Sequence, residues 1–500
     1  MTVERFIADL DELVDVVHKR FGREKVAAYA CTPGHTKQSR RRKERGTMNA
    51  KWTCAACDKA TLKAANAPAA NSANAPVTLS AAAPATVGFD QSLLAPLYSA
   101  VHRMVDEGEA AGVMTMLVRH GKIVNYDAYG KDSIAKGTPL TRDRIFRLFS
   151  QTKPVTGVAM MILYEQGRWQ LKDPVSKYIP EFAHLRVFAG QDKDGKPILE
   201  DPKQPPTMAM LMTHTAGLGY GLENETYVDY VDQQFQKQGV LHSNSLHEAV
   251  TKIAGIPLLY QPGTRWWYSA AVDIQGYIVE TLSGQRLGDF LAPYLFAPLD
   301  MKDTGFYAAG DKAARLASVY YFDSESKKLI ELTHATDPQA RDFTKQPSMD
   351  LGGGGDGGGG GGLLSTIDDY ARFCQMILNG GIYNGVRILA PESVALMQTD
   401  HLPATVIPEA SGGFPAIGGP ALGFGLDFGI VKDPALIGSP AGPGSIFWGG
   451  GAGTWFWIDP KNDLFFLGMM QREGGDVASL AALTVMSQTL AYAALTEPGK

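Results

Sequence analysis

FRLFSQTKPVTGVAMMILYEQG, Phe146 to Gly167, places a serine at the start of an apolar helix and a lysine one turn behind it. Val155, Val158, Ala159, Ile162 and Leu163 fall on one helical face, and Gly167 supplies the stop. Ser150 stands at the helix start, partly desolvated and under the positive end of the helix dipole. Lys153, three residues on, shares its face within hydrogen-bonding reach. A lysine pressed against apolar surface beside a hydroxyl loses affinity for its proton and can serve as a base. Ser-x-x-Lys here therefore predicts a nucleophile and its activator. By itself the tetrapeptide also fits an N-cap serine followed by a solvated lysine, and the rest of the chain has to decide.

Downstream, YQPGTRWWYSAAVDIQGYIVE sets Tyr268 behind a Pro-Gly turn and an aromatic pair, directly before another amphipathic pattern. A phenol held near two cations can relay protons or act as a phenolate base; a core aromatic with a satisfied hydroxyl is the plainer reading. Further on, SIFWGGGAGTWFWIDP brings small residues up to and into a strand. Glycines there allow close approach of a substrate to the main chain, so the Gly451 N–H can pair with the Ser150 N–H as an oxyanion hole. Trp448, Trp455, Phe456 and Trp457 are candidates for an acyl pocket, with alternation sending about half of them into the core.

Two β-rich runs flank the region. Gly112 to Gly130 reads as a hairpin turning at His120 and Gly121, and GTWFWIDPKNDLFFLGMMQ repeats that design with a turn at Asp459 to Asn462. A last helix is predicted from Val477 to Leu495. Between the hairpins the patterns are mainly helical, separated by Gly- and Pro-rich loops. The expected architecture is of α/β type, in the α+β sense: one antiparallel sheet assembled from both ends of the domain, with flanking helices and a helical insertion. The run LGGGGDGGGGGGLLST lacks the Gly-Lys-Ser/Thr ending of a phosphate loop and reads as a flexible surface loop, with Ser365 as N-cap of the following helix.

Residues 1–87 differ from the rest. A short amphipathic helix ending near Gly22, a basic run from Lys37 to Gly46 and an Ala/Asn/Pro/Ser-rich stretch suggest an extension and linker, mostly disordered, with the hydrolase domain over 88–500. Cys31 and His35 followed by Cys54 and Cys57 have the residue types of a zinc site, but unstructured thiols in a linker are the favoured reading. A net charge of -5 gives no general attraction to nucleic acid or anionic membranes. Four cysteines make no disulfide framework, Met1 opens no signal peptide, and no apolar run of about 18 residues occurs, so a soluble cytoplasmic protein is expected.

Ser-x-x-Lys, Tyr-Ser-x and a glycine-bearing motif on a C-terminal strand together resemble the serine β-lactamase and penicillin-binding-protein superfamily. LKDPVSKYIPEF (171–182), MAMLMTHTAGLGYG (208–221), LFAPLDMKDTGFY (295–307), GGIYNGVRILAPESVALM (380–397) and WGGGAGTWFWIDP (448–460) resemble, in order, segments of its class C-like branch, which includes the family VIII carboxylesterases. The resemblance implies a β-lactamase-like fold, an acylated Ser150, proton transfer by Lys153, a proton relay through Tyr268, Gly451 as second oxyanion donor and a substrate-binding motif at Trp448, Gly449 and Gly450. It implies neither metal nor cofactor. Trp-Gly-Gly stands where related β-lactamases and peptidases carry Lys-Thr-Gly or His-Thr-Gly, which removes the grip on a substrate carboxylate. Ala270 stands where many carry asparagine. Both departures imply neutral ester substrates, hydrolysed by a carboxylesterase through an acyl-enzyme. A β-lactamase or D-Ala-D-Ala-type peptidase is the enzymatic alternative, and a non-catalytic scaffold with a nucleic-acid- or metal-binding N-terminus is the alternative of another class. His214 and His334 are the competing candidates for a base, with core packing expected of His214.

Overall fold

The computed structural model describes residues 79–221, 230–333, 341–353, 362–406, 417–474 and 480–497. The N-terminal cysteines, the basic run and His334 lie outside the described residues.

A nine-stranded sheet forms the centre. Its strands are β1 (Ser80–Ala81), β2 (Gly112–Arg119), β3 (Lys122–Ser133), β4 (Thr138–Pro139), β5 (Leu422–Phe424), β6 (Gly429–Val431), β7 (Ile446–Gly450), β8 (Thr454–Asp459) and β9 (Leu464–Met469). The order across the sheet is β1-β3-β2-β9-β8-β7-β6-β5, with β4 paired to β3 off that path. The join between the two ends of the domain is β2 against β9, antiparallel, with Met114 opposite Met469 and Leu117 opposite Phe466. All residues of β2, β8 and β9 are buried. These strands read as continuous apolar runs because helices cover both faces. Both predicted hairpins form. His120 and Gly121 both have positive φ, as the tight turn between β2 and β3 requires.

β1 pairs in parallel with β3, so the sheet is not wholly antiparallel. Residues 80–87 contribute that strand and a 3-10 turn, which puts the start of the sheet domain ahead of the boundary expected at 88.

Five helices frame the site: α1 (Ala95–Asp106), α2 (Lys153–Glu165), α3 (Ala271–Ser283), α4 (Ile367–Leu378) and α5 (Leu480–Ala493). α4 lies against β2, β8 and β9, while α5 lies against β7 and β8 and also meets α1. Phe456 faces Tyr370 of α4 at 5.6 Å between ring centroids. Trp455 and Trp457 point the other way, and both indole N–H groups donate to Ser487 Oγ of α5, at 3.2 and 3.0 Å. All three aromatics are fully buried, so none lines an acyl pocket. Ser365 is not the N-cap of α4 either: it pairs in a two-stranded ladder with Phe146, and Thr366 accepts the Asp369 N–H as the cap. Among the described residues no helix is long and apolar enough to cross a membrane.

Candidate active site

Ser150 occupies a 3-10 turn, Phe149–Thr152, that runs directly into α2. Phe149 holds a φ of 48°, a left-handed conformation that costs a non-glycine residue energy and tips the serine out of the regular helix. From Lys153 to Leu163 every residue of α2 is buried. Lys153 thus opens a helix that runs through the interior, with only 1% of its surface exposed. Burial and the positive end of the helix both disfavour an ammonium there. Burial brings its pKa down to about 7, against the opposing pull of Asp273 and then Asp427.

Lys153 Nζ donates to Ser150 Oγ at 3.1 Å, and Tyr268 Oη donates to the same oxygen at 2.6 Å. Nζ lies 4.5 Å from the Tyr268 ring centroid. Burial raises the Tyr268 pKa, the hydrogen bond to Ser150 opposing, so the phenol keeps its proton at neutral pH. The structure therefore brings Ser150, Lys153 and Tyr268 together, although they are far apart in sequence.

The glycine motif meets this turn from the sheet. A Cβ on Gly450 would overlap the Leu148 carbonyl oxygen, and one on Gly451 would lie 3.8 Å from Phe149 Cδ1. The end of β7 thereby runs beside the Ser150 turn at a separation only glycine permits. Gly449 is buried and Gly450 partly so, while Gly451 is exposed. Trp448 differs from expectation. It is fully buried and backs the Tyr268 ring at 5.9 Å, with Phe424 edge-on to it at 5.4 Å. Its role in this geometry is to hold Tyr268 rather than to face a substrate.

His214 packs in the same layer, 5.2 Å from the Tyr268 ring, and its Nδ1 accepts the Ser269 N–H at 3.2 Å. Burial pushes its pKa well below the usual value, so it is neutral. That is the core packing expected of it.

Several contributors were not singled out by the sequence reading. Tyr220 Oη lies 3.4 Å from Lys153 Nζ, and its turn is held by Asp232 Oδ1, which accepts the Tyr220 and Gly221 N–H groups at 2.9 and 3.0 Å. Gly353 supplies a carbonyl oxygen to Lys153 Nζ. Asp273 Oδ1 accepts the Gly353 N–H at 2.8 Å, and Asp427 accepts from Gln275 at 3.0 Å. The first glycines of the run 352–362 are therefore buried against the site instead of forming a surface loop; residues 354–361 lie outside the described residues. The available signals were a tyrosine in the quoted MTHTAGLGYG and an aspartate on the otherwise apolar face of α3.

A mainly antiparallel sheet assembled from both ends of the domain, with a buried lysine and a phenol converging on one serine hydroxyl, defines a class: serine hydrolases built on the β-lactamase fold. The particular family follows from comparison. Residues 97–490 match the family model described as Beta-lactamase, and the chain belongs to that family. It is 33% identical over 408 residues to Protein Rv1367c of Mycobacterium tuberculosis, covering 80% of this chain and 95% of that one. It is 30% identical over 376 residues to Esterase EstB of Burkholderia gladioli, covering 73% of this chain and 87% of the esterase. Among solved structures, "EstCE1, a hydrolase with promiscuous acyltransferase activity" superposes with a TM-score of 0.62 at 24% identity, over 80% of this chain and 99% of that one. At that identity the likeness is one of fold.

Proposed function

We propose that this protein is a serine carboxylesterase that hydrolyses short-chain, neutral carboxylic esters through an acyl-enzyme on Ser150. The observation that carries the reading is the convergence on Ser150 Oγ of Lys153 Nζ at 3.1 Å and Tyr268 Oη at 2.6 Å, with the lysine pKa brought down to about 7. In the proposed cycle Lys153 takes the Ser150 proton as Oγ attacks the ester carbonyl. The oxyanion that forms is held by the Ser150 and Gly451 N–H groups. Tyr268 passes a proton to the departing alcohol and is reprotonated from Lys153. Water then attacks the acyl-enzyme by the same route in reverse and releases the acid. Support for an ester rather than a β-lactam or peptide comes from Trp448-Gly449-Gly450, which offers no side-chain cation for a substrate carboxylate, and from the similarity to Esterase EstB.

The test is hydrolysis of p-nitrophenyl esters of graded chain length by the wild type and Ser150→Ala, with nitrocefin run alongside. Cleavage of acetate and butyrate with a loss of at least about a thousandfold in Ser150→Ala supports the proposal. Nitrocefin turnover faster than ester turnover moves the reading to a β-lactamase, and full activity in Ser150→Ala overturns the site.

A further inference from the structure

On the reading that Lys153 is the base for Ser150, we propose that Asp273 is a positioning residue that aims the Lys153 amine at the serine, acting through the main chain of Gly353. Asp273 is buried on the first turn of α3, which packs against α2. Its Oδ1 accepts the Gly353 N–H at 2.8 Å, and the carbonyl of that same residue accepts from Lys153 Nζ. On the other side Thr156 Oγ1 of α2 donates to Gly352 O at 2.9 Å. The Gly352 and Gly353 main chain is thus clamped between the two helices. Side chains are excluded there: a Cβ on Gly352 would lie 2.9 Å from Val272 O, and one on Gly353 would lie 2.6 Å from Asp273 Oδ2.

The consequence for the amine is directional. A carbonyl oxygen can only accept, so Gly353 O claims one N–H of Lys153. Tyr220, whose hydroxyl also donates to Gly353 O at 3.5 Å, takes a second at 3.4 Å. In the neutral amine those two bonds leave the lone pair facing Ser150 Oγ at 3.1 Å, where a base has to point. Asp273 thereby orients the Gly353 carbonyl, which both Lys153 and Tyr220 meet, without touching the reacting atoms.

Among the described residues the charged and titratable groups facing Lys153 are few. α3 presents Asp273, and the turn between β5 and β6 presents Asp427, whose pKa burial raises well above the usual carboxylate range. The segment after Met212 presents Tyr220 and the neutral His214, and the segment before α3 presents Tyr268. Of the two acids, Asp273 acts more strongly on Lys153: burial raises its pKa, Lys153 and the Gly353 N–H oppose that rise, and its carboxylate form favours the ammonium. Removing that charge while keeping an acceptor oxygen therefore moves the Lys153 titration to lower pH.

The experiment follows, from about pH 5 to pH 9, the rate at which a fluorophosphonate labels Ser150 and kcat/KM for p-nitrophenyl acetate, in full-length wild type, Asp273→Asn and Gly353→Ala. Asp273→Asn is expected to lower the plateau rate about tenfold with little change in KM, and to move the acid limb down by about one pH unit. Gly353→Ala pushes on the same carboxylate but keeps both charges, so it lowers the plateau while moving the limb less; it carries the test if Asp273→Asn does not fold. Profiles of both variants that superimpose on the wild type in plateau and midpoint overturn the inference. A wild type labelled at Ser150 with coincident profiles removes this inference alone, whereas a wild type that is not labelled removes the Ser150–Lys153 reading and this inference with it.

Discussion

Two donors meet at Ser150 Oγ, and burial acts on them in opposite senses. It weakens the hold of Lys153 on its proton, to a pKa of about 7, and strengthens that of Tyr268. At neutral pH the lysine is therefore the group ready to accept and the phenol the group ready to donate. In the proposed mechanism kcat/KM for p-nitrophenyl acetate rises with pH through a midpoint of about pH 7. The sign follows because below that pH Lys153 is an ammonium that cannot take the serine proton. Tyr268→Phe keeps the ring packed on Trp448 and His214 and removes only the hydroxyl. It is expected to cost about a hundredfold in kcat with the unfolding midpoint in urea almost unchanged, as read by steady-state kinetics and denaturation. The three residues were legible in sequence because each belongs to a short pattern with a chemical reason. Asp273, Asp427 and Tyr220 were not, because their meaning lies in what the fold places opposite them. Trp448 was misread for a related reason: motif membership does not say which side of a strand faces the cleft.

Among the elements, β8 and α5 are joined at one atom. Ser487 Oγ accepts both indole N–H groups and donates to Leu483 O at 2.8 Å. Ser487→Ala leaves two buried donors without that acceptor and is expected to destabilise the fold by about 2 kcal/mol in urea denaturation, with kcat preserved in the folded fraction. β7 and the Ser150 turn approach through Gly450. Gly450→Ala forces that turn away from the strand, so ester hydrolysis is expected to fall by about a hundredfold or more while far-UV circular dichroism is kept. Strands and turns were the readable part of this level. Alternation, the His120-Gly121 pair and the Asp459 turn are local signals. The cap of α4 was displaced by one residue because Ser365 is drawn into a ladder with Phe146, a pairing that no local pattern announces. Gly352 and Gly353 read as part of a flexible surface loop because composition alone cannot tell a loop without side chains from a passage too narrow to admit them.

For the whole molecule, the described residues from 79 onward belong to one compact unit, the sheet domain. A chain beginning at Pro76 is expected to keep the ester activity and thermal midpoint of the full protein, which matched kinetics and calorimetry would check. That the two ends of the domain share one sheet was legible, since both hairpins carry the same apolar pattern. The parallel addition of β1 was not, because its two residues, Ser80 and Ala81, are too few to form a pattern. The closure of the sheet also dictates an order of events. Arg119 Nε donates to Asn462 O across 343 positions of the chain, in the same seam where β2 meets β9. On the ribosome, the hairpin made first therefore waits through most of the remaining synthesis with one apolar edge unpaired. That edge can be completed only by the last strands to emerge, so slow maturation and a need for protection from aggregation are built into the topology itself.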